Sequence, residues 1–74
     1  MNEPQIIRVG DRVKVHLDSK TWKHEGWYEG TVVKIEPYSQ HRSFHWVELD
    51  EEAQTILGVK LISVLNPKNI QKIE

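Results

Sequence analysis

Trp27-Tyr28-Glu29-Gly30-Thr31-Val32-Val33-Lys34-Ile35-Glu36 is the stretch on which the fold turns. Aromatic and β-branched residues suit a pleated, half-buried surface, and in a helix each β-branched side chain would lose χ1 freedom. The decapeptide is therefore expected to be a strand. Gly30 interrupts it, and a glycine inside a strand marks a bulge, a sharp bend or a close backbone crossing. A long central strand bent at a glycine can serve two halves of a small barrel.

Outward from that strand the chain reads as further strands. Arg12-Val13-Lys14-Val15-His16-Leu17 alternates strictly, with Val13, Val15 and Leu17 on one face. Val9-Gly10-Asp11 before it is a turn. Residues 18–26 form a long connection, polar except for Trp22 and closed by Gly26. Pro37 cannot donate to a ladder, so the central strand ends by Glu36 and Pro37-Tyr38-Ser39-Gln40-His41-Arg42 is a loop.

Phe44 to Asp50 is the next strand. Val47 and Leu49 face inward, while Phe44 and Trp46 fall on a face that ought to be polar. Asp50 to Gln54 reads as an acidic turn. The apolar run Thr55 to Leu65 is expected as a strand with Gly58 as a bulge or crossing, and a short helix over Glu51 to Leu57 is the alternative. Asn66-Pro67-Lys68-Asn69 fits a single helical turn, with Asn66 as cap and Pro67 at its first position. A last short strand, Gln71 to Ile73, follows, and Ile70 and Ile73 are expected to close the bottom of the core.

The expected fold is thus all-β: one five-stranded barrel over residues 1–74 with a helical turn before the last strand. Residues 1–5 form a loose polar end. A chain of 74 residues without cysteine has a small core and neither disulfides nor thiolate metal sites to supplement it. No signal-like or membrane-spanning stretch is present in the sequence, so the cytoplasm is the expected location.

The net charge of −1 names no partner, but its distribution is uneven. Residues 8–24 hold five cations against two carboxylates (net +3), and residues 25–52 hold seven carboxylates against two cations (net −5). The asymmetry offers two faces to two partners, or it supplies complementary charges that pair across neighbouring strands.

Gly10-Asp11-Arg12-Val13-Lys14-Val15, then Trp27 to Ile35, then Val47-Glu48-Leu49-Asp50, resembles the SH3-like small barrels: the Tudor, agenet and chromo-barrel group and the KOW modules. Trp22 ahead of Gly30-Thr31-Val32 is similar to PsaE, the small stromal-side subunit of photosystem I. In Tudor-type barrels an aromatic cage holds methylated side chains. Of the matching positions here (Leu17, Tyr28, and Glu48 or Leu49), only Tyr28 carries a ring, so the resemblance implies the fold and not methyl-lysine reading.

Candidate sites follow from what a small core leaves over. Aliphatic residues suffice to fill it: Val13, Val15, Leu17, Val32, Ile35, Val47, Leu49, Val59, Ile62, Val64, Ile70 and Ile73. Some rings must then lie outside, and exposed aromatics are enriched at interfaces. The expected binding residues are Lys20, Trp22, Lys23, Trp27, Tyr28, Arg42, Phe44 and Trp46, with contacts from the first loop (Lys20 to Glu25) and the third-strand region (Tyr38 to Trp46). Trp27 and Trp46 could equally pair across strands in a structural role. His41 and His45 do not share a helix face, so neither metal nor any other cofactor is expected. No nucleophile elbow, facing carboxylate pair or phosphate-cradling loop is present, and a tight barrel leaves no internal substrate pocket. The expectation is a non-enzymatic protein-binding module or small accessory subunit. The alternative is an RNA- or DNA-binding barrel using Arg12, Lys14, Lys20, Trp22, Lys23 and His24 of the first strand and loop. Membrane insertion is not expected, and the residues do not fix an oligomeric state.

Overall fold

The computed structural model describes residues 6–20 and 22–73. The expected loose end at residues 1–5 and Thr21 of the first loop lie outside the described residues. The decapeptide is a strand. In chain order the elements are β1 (Arg12–Leu17), β2 (Gly26–Pro37), β3 (Ser43–Leu49), α1 (Glu51–Leu57), β4 (Leu61–Val64), a 3-10 turn (Pro67–Asn69) and β5 (Ile70–Lys72). The five strands form one antiparallel sheet in the order β4-β3-β2-β1-β5. No ladder among the described residues joins β4 to β5. The sheet is open, and the closure expected from the sequence is not made by backbone pairing.

β2 is long because it has two partners. β1 covers Gly26–Thr31 and β3 covers Gly30–Pro37, so the two overlap only at Gly30 and Thr31. Gly30 lies opposite both Val13 and Leu49. A Cβ at Gly30 would stand 2.5 Å from the Glu48 carbonyl oxygen and 2.7 Å from Val47 Cγ1. Among the three roles expected for this glycine, close backbone approach is the one realised. The bulge lies three residues further on. Val32 faces Val47 and Lys34 faces Trp46, leaving Val33 as the extra residue. Val33 is accordingly exposed, and Ile35 returns to the packed side.

The buried core is Val13, Val15, Leu17, Val32, Val47, Leu49, Ala53, Ile62, Val64 and Ile70. Every member is aliphatic. Alternation in β1, β3 and β4 supplies most of it, as period two requires. Ile7, Trp22, Tyr28, Ile35, Leu57 and Val59 pack around it half-buried. Ile73 is 41% exposed, so it does not close the bottom as expected. Its backbone N–H instead extends the sheet edge by donating to the Arg12 carbonyl at 2.9 Å.

The segment from Thr55 to Leu65 departs from the expected single strand. Its first part belongs to α1, and only Leu61–Val64 is strand. Glu51, Glu52, Ala53, Gln54 and Leu57 are good helix formers, and they outweigh the β-branched Thr55 and Ile56. Gly58 adopts φ 75° and ends the helix, its N–H donating to the Gln54 carbonyl at 2.8 Å. It is a helix cap and not a bulge. Ala53 is the one buried residue of α1, small enough to let the helix lie on the end of the sheet. The Asn66 turn forms as expected, its Oδ1 accepting from Lys68 N–H at 2.9 Å. No helix among the described residues is long and apolar enough to cross a membrane.

Candidate binding surfaces

None of the six aromatic residues reaches the buried class. They lie at three places, set by the strand faces that carry them.

Trp22 belongs to the loop between β1 and β2, where its N–H donates to the Asp18 carbonyl at 2.9 Å. Its half-buried side chain packs against the core. It also lines a pocket of about 180 Å³ with Leu17, Val64 and the polar groups of His16, Asp18 and Asn69. Trp22 is thus a plug at one end of the sheet as much as a free surface. Lys20 and Lys23 beside it are exposed, and neither forms an ion pair among the described residues. The Lys20 backbone N–H donates to Asp18 Oδ1 at 3.1 Å.

Trp27 and Tyr28 are neighbours on β2 and therefore point to opposite faces. Trp27 is 44% exposed on the outer face. His16 lies opposite it in register, the rings 5.1 Å apart and tilted by 54°. Lys14 Nζ stands 5.1 Å from the Trp27 ring centroid, within cation–π range. Tyr28 packs against the core side and its hydroxyl donates to the His24 carbonyl at 3.0 Å. The cross-strand role foreseen for Trp27 is real, although its partners are a histidine and a lysine rather than Trp46.

Phe44 and Trp46 share the outer face of β3, both half-buried. Trp46 Nε1 donates to Glu36 Oε1 at 3.3 Å, and Phe44 lies opposite Glu36 in the ladder. Tyr38, 64% exposed, meets Phe44 edge to face at 5.3 Å. Arg42 is exposed, and its carbonyl accepts from both Tyr38 and Ser39 N–H at 3.0 Å, which closes the β2–β3 connection. Tyr38 opens the third-strand contact region expected from the sequence, although it is not among the individually named binding residues.

Part of the uneven charge is paired within the molecule. Arg12 binds Asp50 through both nitrogens, Nη1 to Oδ1 at 2.7 Å and Nη2 to Oδ2 at 2.5 Å. It also donates to Thr31 Oγ1 at 3.0 Å and lies 3.5 Å from Glu29. Lys72 pairs with Asp11 and Lys60 with Glu48, each at 3.5 Å. The Arg12 hydrogen bonds, with its charge, hold the Asp50 carboxyl below its ordinary pKa against the opposing cost of partial desolvation. Asp11 is lowered chiefly by the Arg8 backbone N–H and further by Lys72. Among the described ion pairs Arg12 is the cation that joins the +3 segment to carboxylates of the −5 segment, while Lys60 and Lys72 come from the chain after Ala53.

Between α1 and the start of β2 runs a groove of about 330 Å³. Trp27, Tyr28, Ala53 and Ile56 give it apolar walls, and Glu29, Asp50 and Glu52 give it an acidic rim. Asp50 and Ile56 were not foreseen as site residues, since the groove depends on α1 being a helix. No group of three or more His, Cys, Asp or Glu among the described residues is placed to hold a metal ion. No protein-family model, curated protein or solved structure matches the chain.

Proposed function

We propose that the chain is a non-enzymatic protein-binding module or small accessory subunit, built on an SH3-like barrel plan. Its contacts come from the first loop (Lys20, Trp22, Lys23) and from the third-strand region that carries Tyr38, Arg42, Phe44 and Trp46. One observation carries the reading: the buried core is wholly aliphatic, and Phe44, Trp46 and Tyr38 lie outside it and outside the shell packed against it. Large amphipathic rings held at a surface by fixed backbone are the anatomy of an interaction site.

A nucleic-acid role draws less support from the same geometry. It needs a run of cations open to phosphate, and Arg12, Lys60 and Lys72 are engaged by carboxylates. Of the other cations in that reading, Lys14 stands over the Trp27 ring, and Lys20 and Lys23 enter no ion pair among the described residues, beside the half-buried Trp22.

The test is affinity capture from the native lysate with the immobilised chain, run beside a Phe44→Ala/Trp46→Ala variant of matched thermal stability. A protein retained by the parent chain and lost by the variant is expected. A mobility shift of oligonucleotides at moderate salt, abolished by Lys20→Glu/Lys23→Glu, overturns the reading in favour of nucleic acid.

A further inference from the structure

We infer that the groove between α1 and the first half of β2 receives an arginine side chain from a basic segment of the partner protein. This deepens the protein-binding reading and rests on it, while using a surface distinct from the Phe44 face. The volume of about 330 Å³ lies at the lower end of ligand sites. It suits one long side chain and the backbone that carries it.

The chemistry of the walls selects that side chain. Trp27 and Ile56 are 44% and 46% exposed, so apolar surface is open to a methylene stem. The rim carries three carboxylates, Glu29, Asp50 and Glu52; the chain's own Arg12 meets the first two, and Lys14 stands over the Trp27 ring. Asp50 spends both oxygens on Arg12, and Glu29 is 3.5 Å from the same group. Glu52 is exposed and enters no ion pair among the described residues. Three carboxylates against Arg12 and Lys14 leave the groove one negative charge in excess, beside the exposed Trp27.

A guanidinium is the group that satisfies both features at once, since it stacks flat on a ring while forking to a carboxylate. The molecule supplies its own precedents. Arg12 is held by a two-pronged pair at this rim, and Lys14 stands over the Trp27 ring. An acidic segment would be repelled here, and a neutral one would leave the rim uncompensated.

The test is an amide and indole NMR titration of the full chain with three short peptides: a Gly-Arg repeat, a Gly-Lys repeat and a Gly-Gln repeat. The Gly-Arg peptide is expected to move the Trp27 indole and Ile56 amide signals and to leave the Trp46 indole unmoved. Glu52→Gln, an exposed change that spares the fold, should weaken binding about fivefold, and added salt should weaken it further. Phe44→Ala should leave it unchanged. No response to the Gly-Arg peptide, equal binding of the Gly-Lys or Gly-Gln peptide, or indifference to Glu52→Gln each overturns the assignment. The two readings fail separately. Peptide failure with lysate capture still dependent on Phe44 and Trp46 removes only the groove, whereas an oligonucleotide that moves Lys20 and Lys23 signals removes the protein-binding reading itself.

Discussion

Arg12 on β1 and Asp50 at the start of α1, thirty-eight positions apart, are joined by two hydrogen bonds of 2.7 and 2.5 Å. The pair ties the helix to the strand on the far side of β2. It also explains why Asp50, in the helix N-cap position with φ −65° and ψ 159°, makes no side-chain cap bond. Its carboxylate is already engaged.

Acid sensitivity follows from this pair. The folded-state pKa of Asp50 lies below its ordinary value of 3.8. Its stabilisation is therefore complete above that value and is lost as pH falls through the depressed folded pKa. The two side chains are 38% and 42% exposed, so solvent screening limits the pair; it contributes about 1 kcal/mol. Urea midpoints measured between pH 7 and pH 2 should fall on the acid side, and Asp50→Asn should flatten that fall. A residual slope from Asp11, lowered by the Arg8 N–H and Lys72, is expected to remain.

Gly30→Ala tests the close approach. The new methyl would sit 2.5 Å from a backbone oxygen that cannot swing aside. A loss of about 3 kcal/mol is expected, visible as a drop in Tm of more than about 10 °C. Gly10→Ala, with nothing within 4 Å but φ at 98°, should cost only about 1 kcal/mol.

The aliphatic core makes a paired prediction. Val15→Ala empties a fully buried site and should cost about 2–3 kcal/mol. Phe44→Ala, on the half-buried outer face, should cost less than about 1 kcal/mol. Chemical denaturation of both variants decides the matter. A larger loss at Phe44 would make that ring a structural element.

Gly58→Ala probes α1. The position needs a left-handed backbone at φ 75°, which costs a side-chain-bearing residue about 1 kcal/mol. The loss should appear in the helical part of the circular dichroism spectrum and in faster amide exchange at Ala53 and Gln54.

β1 and β2 were legible because their alternation and β-branched content leave no competing period. Gly30 was legible as a special position, and its precise role was not, since close approach and bulge share one signal. The bulge at Val33 was hidden: two adjacent valines suit a continuous strand equally well. α1 was obscured by Thr55 and Ile56, whose β-branching argues for strand, and by a Gly58 that reads as either bulge or cap. The charge segments left open whether they pair or face separate partners, and the Arg12–Asp50 pair was not legible because the two meet through the sheet order. That same ambiguity hid the groove, which exists only where α1 lies against the start of β2.

Val33 is the spare residue of β2, and it lies between the paired body of the sheet and the ribbon that ends in Tyr38, Phe44 and Trp46. A bulge sharpens local twist without disturbing the partners on either side. The bearing of the aromatic tip is thus set by an amino acid outside the tip. A chain shortened by that one valine would keep each cross-strand neighbour yet offer its rings along another line, retuning a docking angle while every contacting side chain stays the same.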